Sequence, residues 1–237
     1  MAVQLVARGK PIREQVSTAE WSARVQLAAG HRVLAHYGVN DLTYNHFGLR
    51  VPGEPNHMLI KRTDWMFSEV TASSLLKVDF DGNVLTDTDV KTIKGGALII
   101  HAGLLKHRRD LNATLHTHTV AGMGVAAHKF GLLPINQHAL RFYGEVTYHE
   151  FEGFEFDDEM TPKLVRDLDG GFFLSCAITA CWSAAKASLN ASSTITFWRW
   201  PARVRSQRSP RGRATIRYRA RKPASTRTAN SWPPAVF

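Results

Sequence analysis

The chain has 237 residues, 44% of them hydrophobic, and 30 Lys and Arg against 20 Asp and Glu give a formal net charge of +10. That length carries one sizeable core or two small ones, and the apolar fraction is ordinary for a globular protein. No stretch reaches the ~18 apolar residues of a membrane span, the opening MAVQLVARGKPIREQ has no apolar run that would make it a secretory signal, and Cys176 and Cys181 alone make no disulfide framework, so the expectation is a cytoplasmic protein without a membrane partner. In chain order, Ser17 and Glu20 form a capping-box pair that opens a helix over 17–38. Its apolar positions are Trp21, Val25, Ala28, Val33 and Ala35, and Gly38 is its stop. Strands are expected at 43–51, closed by Pro52-Gly53, and at 57–62. Asp81-Gly82 between the β-type runs of 75–85 gives the type I′ hairpin signal. Helical spacing returns over 97–110. A strand at 114–118, a helix at 120–130 stopped by Gly131, a strand at 145–151 and a helix at 158–168 follow. Strands and helices mix without a regular βα repeat, which favours a partly antiparallel sheet covered by helices.

The charge is divided unevenly. Residues 171–237 carry 12 Lys and Arg and no acidic residue, while all 11 histidines lie before residue 150. The average would suggest a basic nucleic-acid binder, but it describes neither part. The sequence reads as an N-terminal extension (1–16), a domain (17–175) and an Arg-rich tail (176–237) expected to be disordered, with non-specific polyanion contact at most.

The stretch ATLHTHTVAG, residues 113–122, places two histidines one residue apart. On a strand, side chains alternate faces, so His116 and His118 point the same way. A catalytic metal site needs at least three protein ligands. Imidazole pairs serve zinc and other divalent ions. His101 reads as a packed helix histidine before it reads as a third ligand; His46, His138 and His149 are weaker candidates. Arg108 and Arg109 read as a solvated helix end.

Residues 106–126, KHRRDLNATLHTHTVAGMGVA, resemble the core signature of the class II aldolase/adducin family: a helix, an Arg-Asp turn and a His-x-His strand. Segments 45–53, 69–85 and 132–153 resemble the family's other parts in the same order, so the likeness covers about residues 20–170. The resemblance implies a three-layer αβα fold around a mainly antiparallel sheet. It also implies Zn2+ at His116 and His118, substrate-loop positions at Asn45 and Thr63, and a homo-oligomer with active sites at subunit boundaries. Family aldolases are zinc lyases acting on sugar phosphates; the adducin head serves a cytoskeletal scaffold instead. For Asn45, a strand-end hydrogen bond is an equally good reading. Where family aldolases carry Ser-Ser-Glu before the helix leading to the zinc strand, this chain has Gly95, Gly96 and Ala97. The acid/base carboxylate is therefore lacking, which resembles the adducin-like branch and a non-catalytic binding module.

The family's third histidine comes from an Asn-His-Gly or His-His-Gly motif expected near 172–182, where this chain reads FFLSCAITACWS from 172 to 183. Synonymous codons for Ala177–Ser183, read from the third base, give Asn-His-Gly-Met-Leu-Val. In the same phase, residues 187–200 give Ile-Pro-Glu-Cys-Leu-Gln-Tyr-His-Tyr-Val-Leu-Glu-Met, which resembles the family's last helix. A frameshift after about Ser175 accounts for the loss of acidic residues and histidines. It also predicts weakened metal binding, an uncovered apolar sheet face and poor solubility.

Overall fold

A computed structural model describes residues 10–142, 144–150, 159–169, 171–176 and 180–185, the last of these as backbone. The helices are α1 (Ile12–Gln15), α2 (Thr18–His36), α3 (Gly96–His107), α4 (Val120–Ala126), α5 (Gln137–Leu140) and α6 (Met160–Leu168). The strands are β1 (His46–Val51), β2 (Glu54–Ile60), β3 (Leu76–Asp79), β4 (Ala113–Thr117), β5 (Val146–His149), β6 (Phe173–Cys176) and β7 (Ala180–Ala185). They form one sheet in the order β3-β2-β1-β4-β7-β6-β5. Every pairing is antiparallel except β5 with β6. Strand β7 lies beyond residue 175 and fills the centre of the sheet between β4 and β6.

Alternation along the strands sorts the core into two layers. Phe47, Leu49 and Val51 of β1, Leu59 of β2 and Leu115 of β4 pack with Leu27 and Leu34 of α2 and with Phe67. Met58 and Ile60 of β2, Val78 of β3 and Leu174 of β6 pack with Leu104 and Leu105 of α3 and with Leu164 and Leu168 of α6. Helices thus cover both faces, which is the expected αβα arrangement. Of the tail 176–237 expected to be disordered, Cys176 ends β6 and residues 180–185 form β7, which corrects the expectation there; the arginine-rich part after residue 185 lies outside the described residues.

Three local expectations are corrected. Ser17 does cap α2, its hydroxyl accepting from the Glu20 amide at 3.1 Å. The Glu20 carboxylate is buried, however, and binds Arg24 and Lys77. A buried carboxylate gains more from two cations than from one backbone amide. The helix is also turned relative to its most obvious apolar residues: Val25 and Val33 are exposed, whereas Ala23, Leu27, His31 and Leu34 face the sheet. The buried stripe includes Arg24 and His31, whose polarity hid it from a hydrophobic-periodicity reading. At the β3 hairpin, positive φ occurs at Gly82 and not at Asp81, so the type I′ turn is not formed. Asp79 organises the turn instead, its Oδ1 accepting the Asp81 and Asn83 amides at 3.0 and 2.8 Å.

Candidate metal centre

The site is built where β1 and β4 run side by side under α3. The register pairs His46 with His116, Phe47 with Leu115 and Gly48 with Thr114. Phe47 and Leu115 belong to the α2 layer, so His46, Gly48, Thr114 and His116 face α3. His118 follows β4 and continues the face of His116. The expected convergence of the two histidines is present: their Nε2 atoms stand 2.7 Å apart and their rings are nearly perpendicular.

The loop before β1 fixes His118 from three sides. Asp41 Oδ2 lies 2.7 Å from His118 Nδ1. A carboxylate only accepts, so Nδ1 donates and His118 Nε2 carries the lone pair. Asn45 Oδ1 accepts the backbone N–H of His118 at 2.8 Å. Tyr44 stacks on the His118 ring, centroids 6.5 Å apart. Carboxylate support of this kind sets the tautomer of metal-binding histidines. His116 Nε2 then donates to His118 Nε2, an arrangement that a shared metal ion would replace.

Behind this pair lies a second line of imidazoles. His46 stacks on His116 at 4.6 Å with an interplanar angle of 18°. His46 Nδ1 is 2.8 Å from His101 Nε2, and His101 Nδ1 is 2.6 Å from Thr114 Oγ1. Burial pushes the basicity of His46 and His116 well below the ordinary value, with neighbouring imidazoles adding to the effect. His101 is lowered to about 3, mainly by burial. These rings are neutral at physiological pH, the state a metal ligand requires.

The other sequence-derived candidates divide between the site and its surroundings. The buried Asn45 amide is committed to the protein, Nδ2 donating to Val39 O at 3.4 Å while Oδ1 holds the backbone of His118. Thr63 is exposed in the turn after β2. The antiparallel register returns that turn towards the start of β1, where the Lys61 ammonium donates to Thr43 O at 2.9 Å. Burial lowers Lys61 to about 8. His101 is a packed helix histidine. His149 pairs with Asp167 at 2.7 Å, and His138 lies on α5. Arg108 and Arg109 are not simply solvated: Arg108 binds Asp110 and Gly171 O, and Arg109 binds Pro55 O and Asn56. Sequence reasoning missed Asp41. Its only signal was an acidic residue in the short loop ahead of Asn45.

Among the described residues, no three His, Cys, Asp or Glu side chains are grouped to hold a metal ion. His116 and His118 fit a divalent ion as two of its ligands, with nitrogen donors, a fixed tautomer and a carboxylate behind it. Within 172–182, where the family's third histidine is expected, residues 177–179 lie outside the described residues. They are Ile178 with Ala177 and Thr179 beside it, and none is a histidine. The register nevertheless pairs Thr117 with Cys181 and His116 with Trp182, so β7 begins beside the histidine-bearing end of β4. At the start of α3, Gly95 has φ +81° as the N-cap, and Gly96 and Ala97 supply no carboxylate.

An open, mainly antiparallel sheet covered on both faces, with a His-x-His strand at its centre, defines a class II aldolase-type domain. The chain belongs to that family: residues 25–180 match the Class II Aldolase and Adducin N-terminal domain. A provisionally named aldolase class 2 protein of Caulobacter vibrioides is 40% identical over 157 residues, covering 66% of this chain and 61% of that protein. Alpha-adducin of Rattus norvegicus is 40% identical over 147 residues, covering 61% of this chain and 20% of that protein. The matches thus span less than two thirds of these relatives' lengths. Among solved structures, an aldolase II superfamily protein from Pseudomonas syringae superposes with TM-score 0.82 at 35% identity, covering 89% of this chain and 85% of that one. An L-fuculose 1-phosphate aldolase from Glaciozyma antarctica has TM-score 0.72 at 18% identity, with 87% and 79% covered, a likeness of fold alone. No helix among the described residues is long and apolar enough to cross a membrane.

Proposed function

We propose that this domain descends from zinc-dependent aldehyde lyases acting on sugar-phosphate or hydroxy-ketone substrates, and that the chain as written retains two of the three histidines of their metal site. The observation that carries this reading is the Asp41–His118–His116 line, with Nε2 facing Nε2 at 2.7 Å. His116 and His118 would hold Zn2+. When bound, such an ion polarises hydroxyl and carbonyl oxygens as a Lewis acid. The protein's own residues hold the ligands: Asp41 keeps the proton on His118 Nδ1, and Asn45 fixes the His118 backbone. Asn45 and Thr63 stand as the substrate-side positions, Asn45 acting through the loop it braces. Partners on this reading are a small-molecule substrate and further copies of the chain, in the cytoplasm, with nucleic acid touching only the basic C-terminal segment.

The site is impaired in this frame, because no histidine follows His149 and Gly95-Gly96-Ala97 provides no acid/base group. Those three residues, and the likeness to alpha-adducin, support a second reading: a non-catalytic binding or scaffold module. Sequencing the coding DNA across codons 165–200 separates a reading-frame lesion from a repurposed domain. A one-base insertion or deletion restores Asn-His-Gly and strengthens the enzyme reading; an intact frame favours the binding module. Turnover of hydroxy-ketone phosphates by the corrected chain completes the test, and its absence with metal bound would contradict the lyase assignment.

A further inference from the structure

The family pattern accounts for His116 and His118 but not for the imidazoles behind them. His101 is fully buried and reaches from α3 to the sheet at the one place where β1 has no side chain. A Cβ on Gly48 would stand 3.0 Å from His101 Cγ, so glycine here makes room for the ring. Both ring nitrogens of His101 are used, one at Thr114 Oγ1 (2.6 Å) and one at His46 Nδ1 (2.8 Å). His46 in turn lies flat on His116, its directly opposite cross-strand neighbour.

We infer that Thr114, His101 and His46 form a positioning chain that fixes the ring of His116, and through it the spacing of the His116–His118 pair. The inference rests on the metal reading above for its purpose, but its structural content does not need a metal. The physical argument is one of rotamer freedom. A histidine χ2 torsion is broad and roughly two-fold, so neither backbone nor burial alone selects which ring edge faces His118. A flat imidazole clamped on one face sets the plane of the His116 ring, provided that it cannot turn itself, and the contact with His118 Nε2 then takes the edge that carries His116 Nε2. His46 cannot turn without breaking its bond to His101, and His101 cannot turn without losing Thr114 and meeting Gly48. Supports of this kind, behind direct ligands, typically govern metal affinity. His101 and His46 touch no substrate on this account; they are positioning residues.

Two side-chain variants of Thr114 test the chain. Thr114→Val keeps shape and removes the hydroxyl, leaving His101 Nδ1 without its partner, whereas Thr114→Ser restores it. The first readout is the imidazole 15N spectrum of the metal-free full-length protein, with the Asp167-paired His149 as internal control. The expected result is one sharp His116 ring state in the parent and in Thr114→Ser, and broadened or doubled His116 signals in Thr114→Val, with His149 unchanged. His101→Phe, which keeps an aromatic ring at this position and removes both nitrogens, should behave as Thr114→Val does, and it serves if the valine variant does not fold. Unchanged His116 signals in a folded Thr114→Val or His101→Phe protein would overturn the inference. So would a parent protein whose His116 ring already averages between orientations. The second readout is titration with Co2+ alone, followed by its visible absorption. Thr114→Val should weaken binding about 10–100-fold and Thr114→Ser should restore it. If the parent takes up no Co2+, the metal reading falls, while the metal-free spectra still decide the positioning chain.

Discussion

The two faces of the sheet bury polar groups in different ways. Under α2, charge meets charge: Glu20 lies between Arg24 and Lys77, and Arg24 also donates to Leu75 O at 2.7 Å. Under α3, neutral imidazoles meet one another and a hydroxyl. The ionic network stitches α2 to the β3 region and continues from Lys77 to Glu54 and His57 at its rim. The imidazole line instead runs outward to His118 and Asp41, which are 22% and 39% exposed. Opposite charges satisfy one another and support the fold, whereas a line of neutral imidazoles that ends at a partly exposed histidine pair is equipped to bind.

The largest expected effect is a pH dependence to which both faces contribute, His31 from α2 and His101 from α3. His31 is lowered to about 4 and His101 to about 3, both chiefly by burial. Depressed histidines leave the unfolded chain binding protons that the folded chain refuses. Their contribution is therefore complete above pH ~6.5 and is lost as pH falls from there towards the folded values. Urea unfolding should show a loss on the order of 4 kcal/mol between about pH 7.5 and about pH 5 from these two groups together. A flat profile over that range would mean that the imidazoles are not buried as described.

Next in size is the ionic face. Glu20→Ala leaves Arg24 buried with an uncompensated charge and should cost about 3 kcal/mol in urea unfolding. An effect below about 1 kcal/mol would place the pair in solvent-like surroundings. Gly48→Ala should cost about 2 kcal/mol, because the added methyl meets the His101 ring. Its far-ultraviolet spectrum should be unchanged. The smallest stability effect falls at the open end. Asp41→Asn should change stability by less than about 1 kcal/mol, since the pair is partly exposed. It should nonetheless weaken divalent-metal binding about 10–100-fold, because the amide no longer fixes the His118 tautomer.

Much of this comparison was legible along the chain, and what was not has a common cause. The His-x-His spacing states its own geometry, since period two puts both rings on one face. Ser17, Gly38 and the 97–110 spacing mark their helices for local reasons as well. The ionic face was misread because Glu20 satisfies a local capping pattern while its energetics are set by Lys77, 57 residues away. The stripe of α2 was misread because Arg24 and His31 are buried polar residues. His46 and His101 could not be placed behind His116 from sequence, because that neighbourhood exists only once β1 pairs with β4. Asp41 was invisible for the same reason: 77 residues separate it from His118. The family likeness pointed to His116 and His118 but not to the residues packed around them.

The most direct test of the central claim is a zinc titration of the purified full chain by calorimetry, beside the His116→Ala and His118→Ala variants. The account predicts weak binding of one ion by the parent, with an affinity that falls as Asp41 is changed to Asn, and no binding in either histidine variant. Equal binding by all of these proteins, or none by the parent, would contradict the assignment of His116 and His118 as a metal-binding pair.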